Sequence, residues 1–146
     1  FVAMIALVNG IIGGLAGLAG IEGLTLEGIL GTVLAPLAFL LSVPWEEAGT
    51  AASLIGTKLI LNEFIAYVQF VEIQDQLSAH TRAVVTFALC GFANLASIAM
   101  LLGALGTMVP ERRHDVARLG LRAVFAGLLA NLMSAVLAGL FQGLAG

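Results

Sequence analysis

Charge is missing from long stretches of this chain. The opening block, Phe1 to Ile21, contains no Asp, Glu, Lys or Arg, and its length matches the roughly 20 residues an α-helix needs to cross a bilayer's hydrocarbon core. Further apolar blocks follow at Thr25 to Val43, Glu47 to Val71, Ala83 to Met108 and Leu121 to Leu144. Only 10% of the 146 residues are charged and 60% are hydrophobic, with a mean hydropathy of +1.08. Soluble domains carry about 25% charged residues to cover their surface. The expectation is an all-α integral membrane protein, because helices satisfy their backbone polar groups internally in lipid. A net charge of −3 gives no reason to expect a nucleic-acid partner. The single cysteine, Cys90, can close no internal disulfide. The chain opens Phe-Val-Ala-Met, and its first helix lacks the basic n-region and cleavage site of a signal peptide. It therefore reads as part of a larger protein.

Residues 1–21 are expected to form a transmembrane scaffold helix with a packing face of Gly10, Gly13, Gly14, Gly17 and Gly20. Residues 24–44 read as an interfacial amphipathic helix. Thr25 is placed to cap it, Glu27 lies in its first turn, Pro36 interrupts it, and Trp45 anchors its end at headgroup level. A spanning helix is the competing reading.

Charge bias then decides the third block, which is interrupted at its centre by Gly56-Thr57-Lys58-Leu59-Ile60-Leu61-Asn62-Glu63. Arg112, Arg113, Arg118 and Arg122 mark a cytoplasmic loop, while Glu72, Asp75, Glu22, Glu27, Glu46 and Glu47 mark the opposite side. Both ends of the block fall on that outer side, so it enters the membrane and returns. The expectation is a re-entrant helical hairpin over 46–74 with its tip at 56–63, then a broken helix over 81–108 and a last helix over 117–144.

Non-helical backbone at membrane depth is tolerated where it lines a watery cavity or is buried in protein, so the hairpin tip should face a polar site. Glu63 is the leading candidate there, because a carboxylate accepts hydrogen bonds from neighbouring hydroxyls such as a sugar diol presents. On the following helix Thr86, Cys90, Asn94, Ser97 and Leu101 recur at helical spacing and share one face. Gly91 interrupts the same turn. Simpler readings exist for each residue. Lys58 and Glu63 could neutralise each other within a scaffold, Asn94 and Ser97 could be ordinary interhelical hydrogen bonders, and Phe92 could serve packing. His80 and His114 are expected in loops, with no second ligand at metal spacing. No nucleophile–base pairing, phosphate loop or HExxH motif is present, which argues against an enzyme. A pore would need a continuous polar lining, and only one helix offers a polar stripe.

Gly56-Thr-Lys-Leu-Ile-Leu-Asn-Glu-Phe-Ile-Ala-Tyr67 and Ala88-Leu-Cys-Gly-Phe-Ala-Asn-Leu-Ala-Ser-Ile98 together resemble the second hairpin tip and the following broken helix of the concentrative nucleoside transporter family. The resemblance extends over essentially the whole chain. It implies half of an inverted-repeat transporter, with 46–146 as the second half of a transport domain. The implied activity is sodium- or proton-coupled nucleoside symport across the cytoplasmic (inner) membrane by a multi-pass homotrimer with elevator-like movement. It further implies that Glu63 accepts hydrogen bonds from ribose hydroxyls, that Asn94 and Ser97 complete the sugar site and that Phe92 lines it. The family's first hairpin, with a Gly-Gln-Thr-Glu-like tip, lies outside these residues. The coupling cation is expected to bind there, and no other cofactor is expected. The alternative is a non-transporting membrane scaffold or assembly subunit.

Overall fold

The computed structural model describes residues 2–21 and 23–145, which are helical and contain no strand. In chain order the helices are α1 (Val2–Leu18), α2 (Leu26–Leu40), α3 (Trp45–Ile60), α4 (Glu63–Ile73), α5 (Ala79–Leu89), α6 (Leu95–Met108) and α7 (Arg113–Ala145), with short 3-10 turns at Gln74–Gln76 and Pro110–Arg112.

The start of α2 follows its sequence signals. The Thr25 hydroxyl accepts from the Gly28 amide at 3.0 Å, as an N-cap does. Glu27, in the first turn, accepts from Asn9 Nδ2 at 2.8 Å, and Asn9 Oδ1 accepts the Leu26 amide at 2.8 Å. One side chain of α1 thus serves two groups at the head of α2. At the other end the chain turns through Ser42, a non-glycine residue at φ 70°, and α3 leaves at 119° to α2. His80 Nε2 lies 3.0 Å from the Ser42 carbonyl oxygen and 3.1 Å from its hydroxyl, pinning that strained corner.

α2 and α3 lie nearly backbone to backbone. A Cβ added at Gly31 would stand 3.1 Å from Ser53 Cβ and 3.2 Å from Ser53 Cα. Small buried residues make the approach possible: Ala38 on α2 faces a core that includes Ala48, Ala51 and Ala52 of α3. Val84, Val85, Ala88 and Leu89 of α5 and Leu128, Leu132 and Ala135 of α7 extend the same core.

α3 and α4 form a helix–turn–helix in which Leu61 and Asn62 are the whole connection. The mouth of this hairpin is tied to α5, because Glu47 accepts from the Ser78 amide at 3.0 Å and from the Ser78 hydroxyl at 2.9 Å. The turn is tighter than the expected tip at 56–63. Gly56, Thr57 and Lys58 remain helical, and the one charge among them, Lys58, finds a partner in the Ala88 carbonyl that hydropathy cannot register.

Two expected spans differ in form. The broken helix over 81–108 is realised as α5 and α6, helices of 11 and 14 residues separated by non-helical backbone at 90–94. Neither half is long enough to cross a bilayer by itself. Among the described residues, α7 with the turn before it is the one helix long and apolar enough to cross a bilayer alone. At 1.5 Å per residue its 33 residues extend about 50 Å, beyond a hydrocarbon core of about 30 Å. This length corrects the expected Arg-rich loop. Arg113, Arg118 and Arg122 lie on the first turns of α7, as does His114, and Asp115 pairs with Arg112 and Arg118 at 3.7 and 3.9 Å. His80 likewise belongs to α5 and not to a loop. Phe125, Leu129, Met133, Leu140 and Phe141 of α7 are exposed, as suits a surface turned to lipid.

Gly31→Leu would force α2 and α3 apart. Overpacking of this kind costs about 1–3 kcal/mol. Thermal unfolding of the detergent-solubilised full-length protein should show a lowered midpoint for this variant.

Candidate functional site

The polar centre of the segment forms where two helices begin. Asn62 caps α4: its Oδ1 accepts the Ile65 amide at 2.9 Å, with Asn62 itself extended at φ −168° and ψ 171°. The next residue, Glu63, opens the helix, where the exposed amides and the dipole favour a carboxylate. Asn94 caps α6 in the same way, accepting the Ser97 amide on Oδ1 at 2.8 Å.

That second cap also fixes the Asn94 side chain. With Oδ1 committed to an N–H donor, the NH2 group must point the other way. It donates from Nδ2 to Glu63 Oε2 at 3.1 Å. Asn94 is 2% exposed and Glu63 half-buried. The structure thus brings together the two residues that the sequence singles out on separate elements. An ionised carboxylate offers about four lone-pair positions, and Asn94 is the one donor to Glu63 among the described residues.

Ser97 sits one turn into α6. Its hydroxyl donates to the Phe92 carbonyl at 2.6 Å or to Asn94 Oδ1 at 2.9 Å, so its proton is engaged in holding the break and the cap. Phe92 projects outward from the non-helical link and is 80% exposed. A cavity of about 180 Å³ adjoins Phe92 and Ser97 and is also lined by Gly120 and Val124 of α7.

The polar stripe expected along one continuous helix is not continuous, because the helical period ends at Cys90. Thr86 turns its hydroxyl back onto the Arg82 carbonyl at 2.7 Å. Cys90 is exposed, with its sulfur 3.0 Å from the Tyr67 hydroxyl. Asn94 and Ser97 meet through the cap of a new helix, not through the face of an old one.

Nor does Lys58 neutralise Glu63 directly. No ion pair within 4 Å joins them among the described residues, and the Lys58 ammonium donates to the Ala88 carbonyl at 2.8 Å. Asn131 of α7 donates to the Cys90 carbonyl. It lies so close to Gly91, at φ 154°, that a side chain on that residue would collide with its amide. Sequence reading missed Asn131 and the capping role of Asn62. For Asn62 a signal existed, since Asn directly before a new apolar helical run is a start marker. For Asn131, one polar residue in a long apolar helix, position alone gives no partner. A larger cavity, about 600 Å³ and lined by residues that include Gly28, Gly49 and Gln69, contains none of Glu63, Phe92, Asn94 or Ser97.

Residues 1–139 match the family described as Na+ dependent nucleoside transporter C-terminus. The chain belongs to the concentrative nucleoside transporter family. It is 59% identical over 141 residues to an uncharacterized transporter, YutK, of Bacillus subtilis, covering 97% of this chain and 35% of that protein. The nucleoside permease NupC of Helicobacter pylori is 52% identical over 149 residues, covering 99% of this chain and 36% of the permease. Human sodium/nucleoside cotransporter 1 is 36% identical over 155 residues, covering 96% of this chain and 24% of the cotransporter. The segment thus spans about a third or less of the curated relatives it matches. Among solved structures, CNTnw in an inward-facing substrate-bound state superposes with a TM-score of 0.87 at 59% identity, covering 100% of this chain and 36% of that one. A substituted form of CNTnw in an outward-facing state gives 0.86 at 58% identity, again over 100% of this chain and 36% of that one. These relatives are transporters and permeases, and the family is not one of enzymes.

The double role of Asn94 is separable. Asn94→Ser keeps a good capping residue but is too short to reach Glu63, whereas Asn94→Ala loses both functions. In the full-length protein the alanine variant should lose about 1 kcal/mol more stability than the serine variant, as read by thermal unfolding. Both should lose the contact with the carboxylate.

Proposed function

We propose that the protein carrying this segment performs cation-coupled nucleoside symport across the cytoplasmic membrane, with this segment providing the ribose-binding part of the site. The observation that carries the reading is the contact between Asn94 Nδ2 and Glu63 Oε2 at 3.1 Å. It sets a carboxylate with spare acceptor positions beside an amide with a second N–H. A ribose diol offers two donors to the carboxylate, and its oxygens can accept the remaining amide hydrogen. Ser97 holds the Asn94 amide in orientation and presents its oxygen beside the sugar. Phe92 supplies an exposed ring along which the solute lies.

The surrounding form supports the same reading. Residues 46–74 serve as a re-entrant hairpin and residues 24–44 as an interfacial helix, in a multi-pass membrane protein that assembles as a homotrimer. A hairpin tip and a broken helix meeting near mid-membrane are a recurrent way to build a solute site. The segment superposes on an inward-facing and an outward-facing relative at TM-scores of 0.87 and 0.86, and an elevator-like cycle is the movement this reading carries. The coupling ion, sodium or a proton, binds on the part of the protein beyond this segment. The names of the family and of the human relative favour sodium.

Glu63→Gln keeps size and the bond from Asn94 but removes the charge that strengthens hydrogen bonds from hydroxyls. In the full-length protein, uridine uptake should show a KM raised by about tenfold or more, consistent with the worth of charge-assisted bonds. Uptake equal to the parent's would remove the reading.

A further inference from the structure

One charged group takes no part in this site. Lys58 is the only lysine in the sequence, and its side chain is 0% exposed. A buried ammonium ion is tolerated only when it is well partnered. Its partner is the Ala88 carbonyl at 2.8 Å, in the last turn of α5. There the helix leaves its final carbonyls without amide donors, and its dipole amounts to roughly half a negative charge. Two other side chains reach the same end. The Tyr67 hydroxyl donates to the Thr86 carbonyl at 2.7 Å, and the Asn131 amide donates to the Cys90 carbonyl. Helices α3, α4 and α7 therefore each send one donor to the open end of α5, and only the donor from α3 carries a full positive charge.

Carbonyl ends of half-helices inside membrane proteins are places where free cations bind. We propose that Lys58 is a positioning residue, a tethered cation resident at the C-terminal end of α5. Its ammonium answers the negative end of the helix and fixes where the chain leaves it. That exit sets where Asn94 meets Glu63. The inference deepens the ribose reading and rests on it for any effect on uptake, but the cap itself is a property of the fold.

The test uses the full-length protein with Lys58→Met, which keeps length without charge, and Lys58→Ala, which leaves room for a small alkylammonium ion. Hydrogen bonds to a charged donor correspond to about ten- to a hundredfold in an equilibrium, so the KM for uridine should rise by about that factor in both variants. Ethylammonium should restore most of the loss in Lys58→Ala and raise its Tm, without raising that of the parent. Choline, which has no N–H donor, should do neither. A parental KM and Tm in Lys58→Met overturns the proposal, as does an inserted Lys58→Ala that ignores ethylammonium. If neither variant inserts, solid-state NMR of the parent with isotopically labelled lysine decides. A charged Lys58 Nζ correlated with the Ala88 carbonyl carbon upholds the cap, and a neutral amine or no correlation overturns it. Glu63→Gln, measured alongside, separates the two readings. If it transports like the parent, the ribose site falls, and the cap is judged by the Tm response to ethylammonium alone.

Discussion

A peptide group that leaves a helix in apolar surroundings must find another partner, and the form of this segment around residues 90–94 follows from that requirement. The amide side of the break is served by Asn94, which accepts the Ser97 amide. The carbonyl side is served from outside the helix, with acceptors at Thr86, Ala88, Cys90 and Phe92 met by Tyr67, Lys58, Asn131 and Ser97. Most of these donors come from other helices. The break is therefore a tertiary feature, stable only when α3, α4 and α7 are packed against α5. The juxtaposition of Glu63 and Asn94 inherits that dependence.

Packing makes the arrangement possible. The hairpin approaches α2 through Gly31 and a run of alanines, and α5 through small and β-branched residues that are fully buried. In lipid the drive toward such contact comes from close van der Waals fit and interhelical hydrogen bonds, because hydrocarbon outside is as apolar as the core. The small residues let polar side chains on neighbouring helices come within bonding distance, and those bonds hold the helices in turn. The clamp of Glu47 on Ser78 and the hold of His80 on Ser42 do the same at the edge of the bundle.

Much of this was legible in the amino-acid sequence where the signal was local. Thr25 and Glu27 announced the start of α2, the charge pattern pointed to a chain reversal before Glu63, and Gly91 marked the loosened turn. The types of residue at the polar centre were legible too, because an acid and an amide in apolar blocks have few uses. What could not be read was the direction in which side chains spend their hydrogen bonds. Proximity along the chain left open a mutual neutralisation of Lys58 and Glu63, yet the helix carries the lysine toward α5. Periodicity placed Thr86, Cys90, Asn94 and Ser97 on one face, but it assumes unbroken helical geometry, and the five non-helical residues at 90–94 reset the phase. The arginines looked like a loop because charge in an otherwise apolar chain reads as an exit from the membrane. Helix α7 instead carries Arg113, Arg118 and Arg122 on its first turns without unwinding.

The meeting of two helix starts at Glu63 and Asn94 has an electrostatic consequence. Each start contributes roughly half a positive charge from its aligned peptide units, and the carboxylate contributes one negative charge. Summed over the two helix starts and the acid, the ledger is close to zero, and the one cation nearby, Lys58, is turned to the Ala88 carbonyl at the C-terminal end of α5. A wall balanced in this way exerts little net pull on ions of either sign and spends its field on local, directional contacts. Such a surface suits an uncharged, hydroxyl-rich molecule. A phosphorylated counterpart would bring in negative charge that the two helix ends, already offset by the acid, have no surplus to meet.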